Sequence, residues 1–207
     1  MIRRTEMLGT IIAGGLATRM GGTNKPLAIL KGRPLLAHAY DRLLPQVSDV
    51  VVNANRDLDQ ITFALPGGVE LVRDAQEFSA RGPLAGLHAC LRYARSKRFA
   101  YVATVAADTP FFPQSLFTQL AAPSGDSVVR IARHNGYRHP LFALWPTNTL
   151  ADLEAFFLED KTNKVMAFAQ RHALVEVDIE ASGNPFFNIN TQEELLEAGA
   201  TFGEKGQ

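Results

Sequence analysis

Along this chain, short continuous apolar runs alternate with segments in which apolar residues recur every three or four positions. Residues 8–13 form a short, apolar, β-branched run, the pattern of a buried strand. Residues 49–55, 69–72 and 99–107 read as further strands, 49–55 with a polar C-terminal edge and 99–107 central in the sheet. Between them lie stretches with helical spacing: 34–44, which opens on Pro34 and stops before Pro45, then 57–64, then a longer one from Gly82-Pro83 to Ser96. A further helix is predicted over 113–120. Repeated strand, loop and helix predicts βαβ units, and so a three-layer, Rossmann-like α/β fold around a mostly parallel sheet. The second half is less regular. Residues 127–133 and 140–145 read as strands flanking His134-Asn135-Gly136-Tyr137, a hairpin signal, so antiparallel strands are expected at an edge of the sheet. Helices at 150–157 and 165–171, a strand at 174–177 and a closing helix over 192–197 complete the pattern.

Length and composition narrow this picture. The 207 residues suit one α/β domain and are too few for two, and no linker or repeat divides them. A single domain over 1–207 is expected, with about 1–6 and 203–207 fraying. The 21 basic and 21 acidic residues cancel, which weighs against non-specific nucleic-acid binding but leaves room for a local positive pocket. Cys90 is the only cysteine, which excludes an internal disulfide and a thiolate zinc cluster; its setting reads as a helix interior and a buried structural thiol. Residues 1–7 carry two arginines and an acid, and no apolar stretch approaches roughly 18 residues. No membrane span is expected, and the cytoplasm is the expected location.

The most unusual stretch follows the first strand: four glycines, Gly14, Gly15, Gly21 and Gly22, fall within nine positions, with Arg19 and Lys25 beside them. Glycines let backbone amides approach phosphate oxygens, and an arginine fork and a lysine point charge match phosphate charge in two ways. The spacing is neither that of a P-loop, since Pro26 follows Lys25, nor that of a dinucleotide fingerprint. Ligands of open α/β sheets sit beyond the carboxyl ends of the strands. There the sequence places Gly14-Gly15, Asn53, Asp74 and Asp108. Asp108 can hold a hard divalent cation that bridges phosphates, or it can serve as a helix cap or turn residue. Asp74 faces the alternative of pairing with Arg73. Asn188 and Asn190, two apart, would face one way if extended, while Asn190 or Thr191 can instead cap the helix that follows. His139, near Arg138, is either a functional or a structural histidine. His38, His88, His134 and His172 show no ligand spacing.

Taken in order, these segments resemble a known family. Ile11-Ile12-Ala13-Gly14-Gly15 through Arg19-Met20-Gly21-Gly22 to Lys25 is similar to the signature of molybdenum cofactor guanylyltransferases. The resemblance continues through Val51 to Asn55, Asp74, Gly82-Pro83-Leu84-Ala85-Gly86, Asp108-Thr109-Pro110, His139-Pro140, Val165-Met166 and Phe187-Asn188-Ile189-Asn190-Thr191. It implies a nucleotidyltransferase fold and transfer of GMP from GTP to the molybdopterin-bound cofactor, with pyrophosphate released and Mg2+ required. It also implies nucleotide contacts at Ile12, Ala13, Gly14, Gly15, Lys25, Asn53, Asp74 and Asp108, with the metal on Asp108. Arg19, Lys25 and the magnesium held by Asp108 would stabilise the negative charge that develops in transfer, and His139, Asn188 and Asn190 would lie on the pterin side. Transient contacts with cofactor-insertion proteins or molybdoenzymes follow from the product's destination.

Three positions depart from the family's usual pattern: Ile12 for leucine, Asn24 for an aspartate before the lysine, and Gln192 for a proline after the Asn-x-Asn-Thr run. Rival readings are a cytidylyltransferase acting on the same cofactor, a sugar-phosphate or isoprenoid-precursor nucleotidyltransferase, and a non-catalytic carrier of the pterin. Relatives that use CTP typically carry alanine at the position of Gly14.

Overall fold

A computed structural model describes residues 2–14, 24–123, 125, 127–159 and 162–201. Among them are nine strands: β1 (Met7–Ile12), β2 (Ile29–Leu30), β3 (Arg33–Pro34), β4 (Asp49–Asn53), β5 (Glu70–Val72), β6 (Tyr101–Ala106), β7 (Val129–His134), β8 (Tyr137–Pro146) and β9 (Leu174–Asp178). The α-helices are α1 (Leu35–Leu43), α2 (Leu58–Phe63), α3 (Pro83–Ser96), α4 (Leu116–Ala121), α5 (Leu150–Glu159), α6 (Val165–Ala169) and α7 (Gln192–Thr201). At the start of the chain, where fraying was expected, Arg4–Glu6 forms a 3-10 turn, and the Arg3 amide donates to the Glu6 carboxylate at 2.8 Å.

Seven strands make one mixed sheet in the order β5-β4-β1-β6-β8-β7-β9. β5, β4, β1 and β6 run parallel, as the alternating pattern predicts. The expected antiparallel edge is corrected. β8 is antiparallel to both of its neighbours and lies inside the sheet, while the edge strand β9 is parallel to β7.

The reason is local. Asn135 and Gly136 both take positive φ, 49° and 80°, the conformation a two-residue hairpin turn requires, so β8 must fold back on β7. The far half of β8, Phe142 to Pro146, is buried throughout, and an apolar strand of that kind is satisfied only with neighbours on both sides; it ladders onto β6 from Tyr101↔Pro146 to Thr104↔Ala143. Between the two halves the β7–β8 register slips, from Ile131↔Ala143 to Ala132↔His139. Pro140 falls in the slipped stretch, where its missing N–H costs no ladder bond.

β1 shows how the sheet is covered. Met7 and Ile11 pack in a cluster with Leu36 and Leu43 of α1 and Leu116, Phe117 and Leu120 of α4. Leu8 and Ile12, on the alternate face, pack with Leu84, Leu87 and Leu91 of α3, Leu153 and Phe156 of α5, and Phe168 of α6. Cys90 is fully buried in this second cluster, and burial pushes its thiol pKa up, so it stays a neutral packing group. A third, smaller cluster joins Ile189, Leu195 and Ala198 to Ala28, Leu30 and Leu35. It fastens the 187–198 segment against the ribbon that follows Lys25, two stretches more than 150 residues apart in the chain. Among the described residues, no helix is long and apolar enough to cross a membrane.

Candidate functional site

The four parallel strands end together. Ile12 is level with Asn53 on one side and Ala106 on the other, and Asn53 is level with Val72. Backbone bonds carry the alignment one residue further: the Ala13 amide donates to the Asn53 carbonyl (2.9 Å), Ala54 to Val72 (3.1 Å) and Ala107 to Ile12 (3.2 Å). Ala13-Gly14, Asn53, Asp74 and Asp108 therefore emerge on neighbouring strands of one sheet edge, the placement that α/β binding sites use. Ile12 is buried, so its side chain belongs to the core and any ligand contact falls to its backbone. Gly15 and Arg19 lie outside the described residues.

On the β4–β5 side, two asparagines hold the carboxylate of Asp74. The Asn53 amide donates to one oxygen (2.8 Å) and to the Val72 carbonyl (3.1 Å), and Asn55 donates to the other oxygen (2.8 Å). The Asp74 backbone amide returns a bond to Asn55 Oδ1 at 2.9 Å. Asp74 thus answers to asparagines where a pairing with Arg73 was the alternative. The clamp leaves no room beside it. A Cβ on Gly86 would stand 2.3 Å from the Asn53 side-chain oxygen, and one on Gly14 would stand 3.0 Å from that oxygen and 3.1 Å from the Asn55 nitrogen. Neither Asn55 nor Gly86 is among the site residues expected from sequence. Asn55 had a signal, its period-two spacing from Asn53 at a strand end; Gly86 had only its place in the Gly82–Gly86 run of the resemblance, because the side chain that demands a glycine there arrives from β4.

On the β6 side, Lys25 begins a 3-10 turn, Lys25–Leu27, and its ammonium reaches across the chain. It donates to Asp108 Oδ2 at 2.9 Å and to Asn190 Oδ1 at 2.5 Å. The Lys25 and Asp108 side chains are only 14% and 22% exposed, so water screens the pair incompletely. No helix starts behind Asp108, since α4 begins at Leu116, and the helix-cap alternative falls away. The Asp108 carbonyl accepts the Ile189 amide at 2.8 Å, which brings the 188–190 segment to the end of β6.

Capping of α7 is done by Thr191. Its hydroxyl accepts the Glu194 amide (3.1 Å), while the Glu194 carboxylate accepts the Thr191 amide (2.9 Å), a reciprocal capping box. Glu194 also accepts the Asn190 amide at 2.6 Å. The Asn190 side chain is thereby left for Lys25. Asn188 is exposed, and the Asn190 side-chain amide donates to its backbone carbonyl at 3.3 Å. His139 stacks on Phe186, ring centroids 4.1 Å apart and planes 21° off parallel. Burial, with a smaller contribution from His134, lowers its pKa and keeps it neutral. Its place at the β8 slip, past the last β6 pairing, puts it on the same sheet edge, against the segment that leads to Asn188.

The profile of the MobA-like NTP transferase domain matches residues 9–175. A molybdenum cofactor guanylyltransferase of Bradyrhizobium sp. (strain ORS 278) is 39% identical over 199 residues, covering 94% of this chain and 92% of the relative. The chain belongs to the molybdenum cofactor guanylyltransferase family. The family's enzyme from Rhizobium meliloti (strain 1021) is 42% identical over 200 residues, covering 92% of this chain and 89% of that one. Among solved structures, molybdopterin-guanine dinucleotide biosynthesis protein A from Archaeoglobus fulgidus superposes with a TM-score of 0.72 at 22% identity, covering 93% of this chain and 97% of the other, and shares the fold.

Two departures from the family pattern have local explanations. Asn24 donates its side-chain amide to Asp57 Oδ2 at 2.9 Å, a bond an aspartate could not make and would replace with repulsion. Gln192 is the first residue of α7 after the Thr191 cap, a position equally suited to proline, whose missing amide is unneeded there.

Proposed function

We propose that this protein transfers GMP from GTP to the molybdopterin-bound molybdenum cofactor and releases pyrophosphate. The observation that carries the reading is the meeting of Lys25, Asp108 and Asn190 beside the Asn53–Asn55–Asp74 clamp, at the one sheet edge where a nucleotide of an α/β fold would lie. In this reading the three-layer, Rossmann-like plan of the wider nucleotidyltransferases serves as the frame, and 1–207 act as one domain in the cytoplasm.

In the reaction, a terminal phosphate oxygen of the pterin cofactor attacks the α-phosphorus of GTP. A new P–O bond forms, the bond to the β-phosphate oxygen breaks, and pyrophosphate leaves with that electron pair. The nucleophile is already anionic, so no general base is required, and neutral His139 need not supply one. Charge grows on the equatorial and leaving oxygens; Lys25, Arg19 and the amides after β1 would meet it with positive charge, which favours the transition state over the ground state. Asp74, held by its two asparagines, and Gly14 shape the nucleotide side, while Asn188 and His139 lie toward the acceptor.

Magnesium fits the residues in a particular way. Among the described residues, no three His, Cys, Asp or Glu side chains gather to cage a metal. Mg2+ on nucleotides commonly takes one or two carboxylates and completes its shell with phosphate oxygens and water. Asp108, a single partly exposed carboxylate at a strand end, suits that arrangement and would hold the ion, which when bound supplies Lewis-acid neutralisation of the phosphates.

For the base, the guanine reading is supported by Gly14 itself, where CTP-using relatives typically carry alanine; a Cβ there would press on both Asn53 and Asn55. Incubation with the molybdopterin cofactor, Mg2+ and either GTP, CTP or ATP, followed by mass identification of the dinucleotide, tests the reading. A guanine dinucleotide with pyrophosphate is expected. A cytosine dinucleotide, or GTP binding with no pyrophosphate, would overturn it. The product is then passed on, which implies brief contacts with cofactor-insertion proteins or molybdoenzymes.

A further inference from the structure

Asn190 has been placed by resemblance on the pterin side, yet its side-chain oxygen holds the ammonium of Lys25 at 2.5 Å, and the same ammonium lies 2.9 Å from Asp108. Nothing about Asn190 is loose. Its backbone amide is tied to Glu194 (2.6 Å), Ile189 beside it is fully buried and bonds the Asp108 carbonyl (2.8 Å), and the Thr191–Glu194 capping box closes the turn. Lys25 is the opposite case: a four-carbon stem with a point charge that can swing without disturbing the backbone. The fixed partner and the mobile one have distinct roles.

We propose that Asn190 is a positioning residue that parks Lys25 on Asp108, so that the ammonium shields the carboxylate from free divalent cations until a triphosphate draws it away. The inference rests on the function proposed above. A lysine ammonium on a carboxylate oxygen both neutralises it and occupies one of the sites a cation would use, so the resting protein presents Asp108 as a poor metal ligand. Nucleotide phosphates offer the ammonium a higher density of negative charge than one carboxylate and one amide do. When the ammonium turns to them, Asp108 is uncovered beside the bound phosphates and would be free to hold a divalent cation there. The same movement leaves the Asn190 side-chain oxygen without its cation, at the edge facing the acceptor. Metal and nucleotide would therefore enter as one unit, and the acceptor side would sense their arrival through Asn190.

The test is binding of Mn2+ to the full-length protein without nucleotide, followed by the loss of the free-ion EPR signal, with thermal unfolding as the check on folding. Wild type should bind weakly. Lys25→Met, with Lys25→Gln as a second variant should the first fold poorly, should bind Mn2+ about tenfold more tightly or better, because a full positive charge leaves the site. That gain should vanish when Asp108→Asn is added. Asn190→Ala, which loosens the ammonium without removing it, should shift binding the same way by a smaller factor, roughly two- to fivefold. Equal Mn2+ binding by wild type and both Lys25 variants would overturn the shielding, as would a gain that survives Asp108→Asn. An Asn190→Ala protein indistinguishable from wild type would remove Asn190 from it. None of these outcomes touches the identity of the dinucleotide product, so failure here is separable from failure of the proposed reaction.

Discussion

Gly86 gives the sharpest test of how this site is built. It sits inside α3 and lends the helix nothing by propensity; in an exposed helix, alanine would be favoured by about 1 kcal/mol. Its value is close approach. A Cβ there would stand 2.3 Å from the Asn53 side-chain oxygen, 2.9 Å from the carbon bearing it and 3.3 Å from Ile12 Cδ1. Asn53 is 1% exposed and cannot step aside freely, because its amide nitrogen donates to Asp74 and to the Val72 carbonyl. In Gly86→Ala, either Asn53 turns and loses both bonds or α3 shifts from the sheet. Losing one bond to a charged group and one to a neutral group costs about 2–4 kcal/mol, and the propensity gain offsets about 1, leaving a net loss of about 1–3 kcal/mol. For a chain of this size that is a fall in Tm of roughly 3–10 °C. Denaturant or thermal unfolding measures it, and GTP titration by calorimetry should show weakened binding as Asp74 loses one of its two holders. A Gly86→Ala protein as stable as wild type or more so, with unchanged GTP affinity, would refute the reasoning, because helix propensity would then have been the only contribution.

Three further outcomes follow from the same geometry. Asp108→Asn should lower the rate of pyrophosphate release by about 10²–10³ while the protein stays folded, since the carboxylate that would hold Mg2+ against the phosphates is lost and no buried core group is touched; near-normal turnover at saturating Mg2+ would remove Asp108 from the mechanism. Thr191→Ala should cost about 1 kcal/mol of unfolding free energy through loss of the α7 cap, read from urea midpoints, and an unchanged midpoint would mean Glu194 alone secures the turn. Burial lowers the pKa of His139 in the folded state, so the unfolded chain takes up its proton first; stability should be full above about pH 6.5 and fall as the pH drops through the folded pKa. His172, also lowered chiefly by burial, adds a loss of the same sign. His139→Phe, which keeps an aromatic ring against Phe186, should therefore reduce but not abolish the acid-side fall in Tm, and an identical pH profile would show that His139 contributes nothing to it.

Local patterning carried much of this protein openly. Strands buried on both faces announce themselves as apolar runs, helices as three- and four-residue spacing, and the Asn135-Gly136 turn as a dipeptide, because each depends on neighbours in the chain. The parallel half of the sheet, and the delivery of Gly14, Asn53, Asp74 and Asp108 to one edge, were legible for the same reason: a βαβ unit admits little choice of strand direction. The position of β8 was not. Hairpin formation is local, but insertion between β6 and β7 is a choice of partner, made by burial of Phe142 to Pro146 against a strand some forty residues away. The contest between Asn190 and Thr191 for the helix cap was equally closed to inspection. Both residues suit the role, and the matter was settled by Lys25, which comes from the opposite end of the chain and needs an acceptor. Gly86 is the extreme case: nothing nearby in the chain asks for glycine there, and the demand comes wholly from the oxygen of Asn53. Residue type records what a position can do with its neighbours in sequence; which of those capacities is used depends on what packing brings within about 3 Å of it.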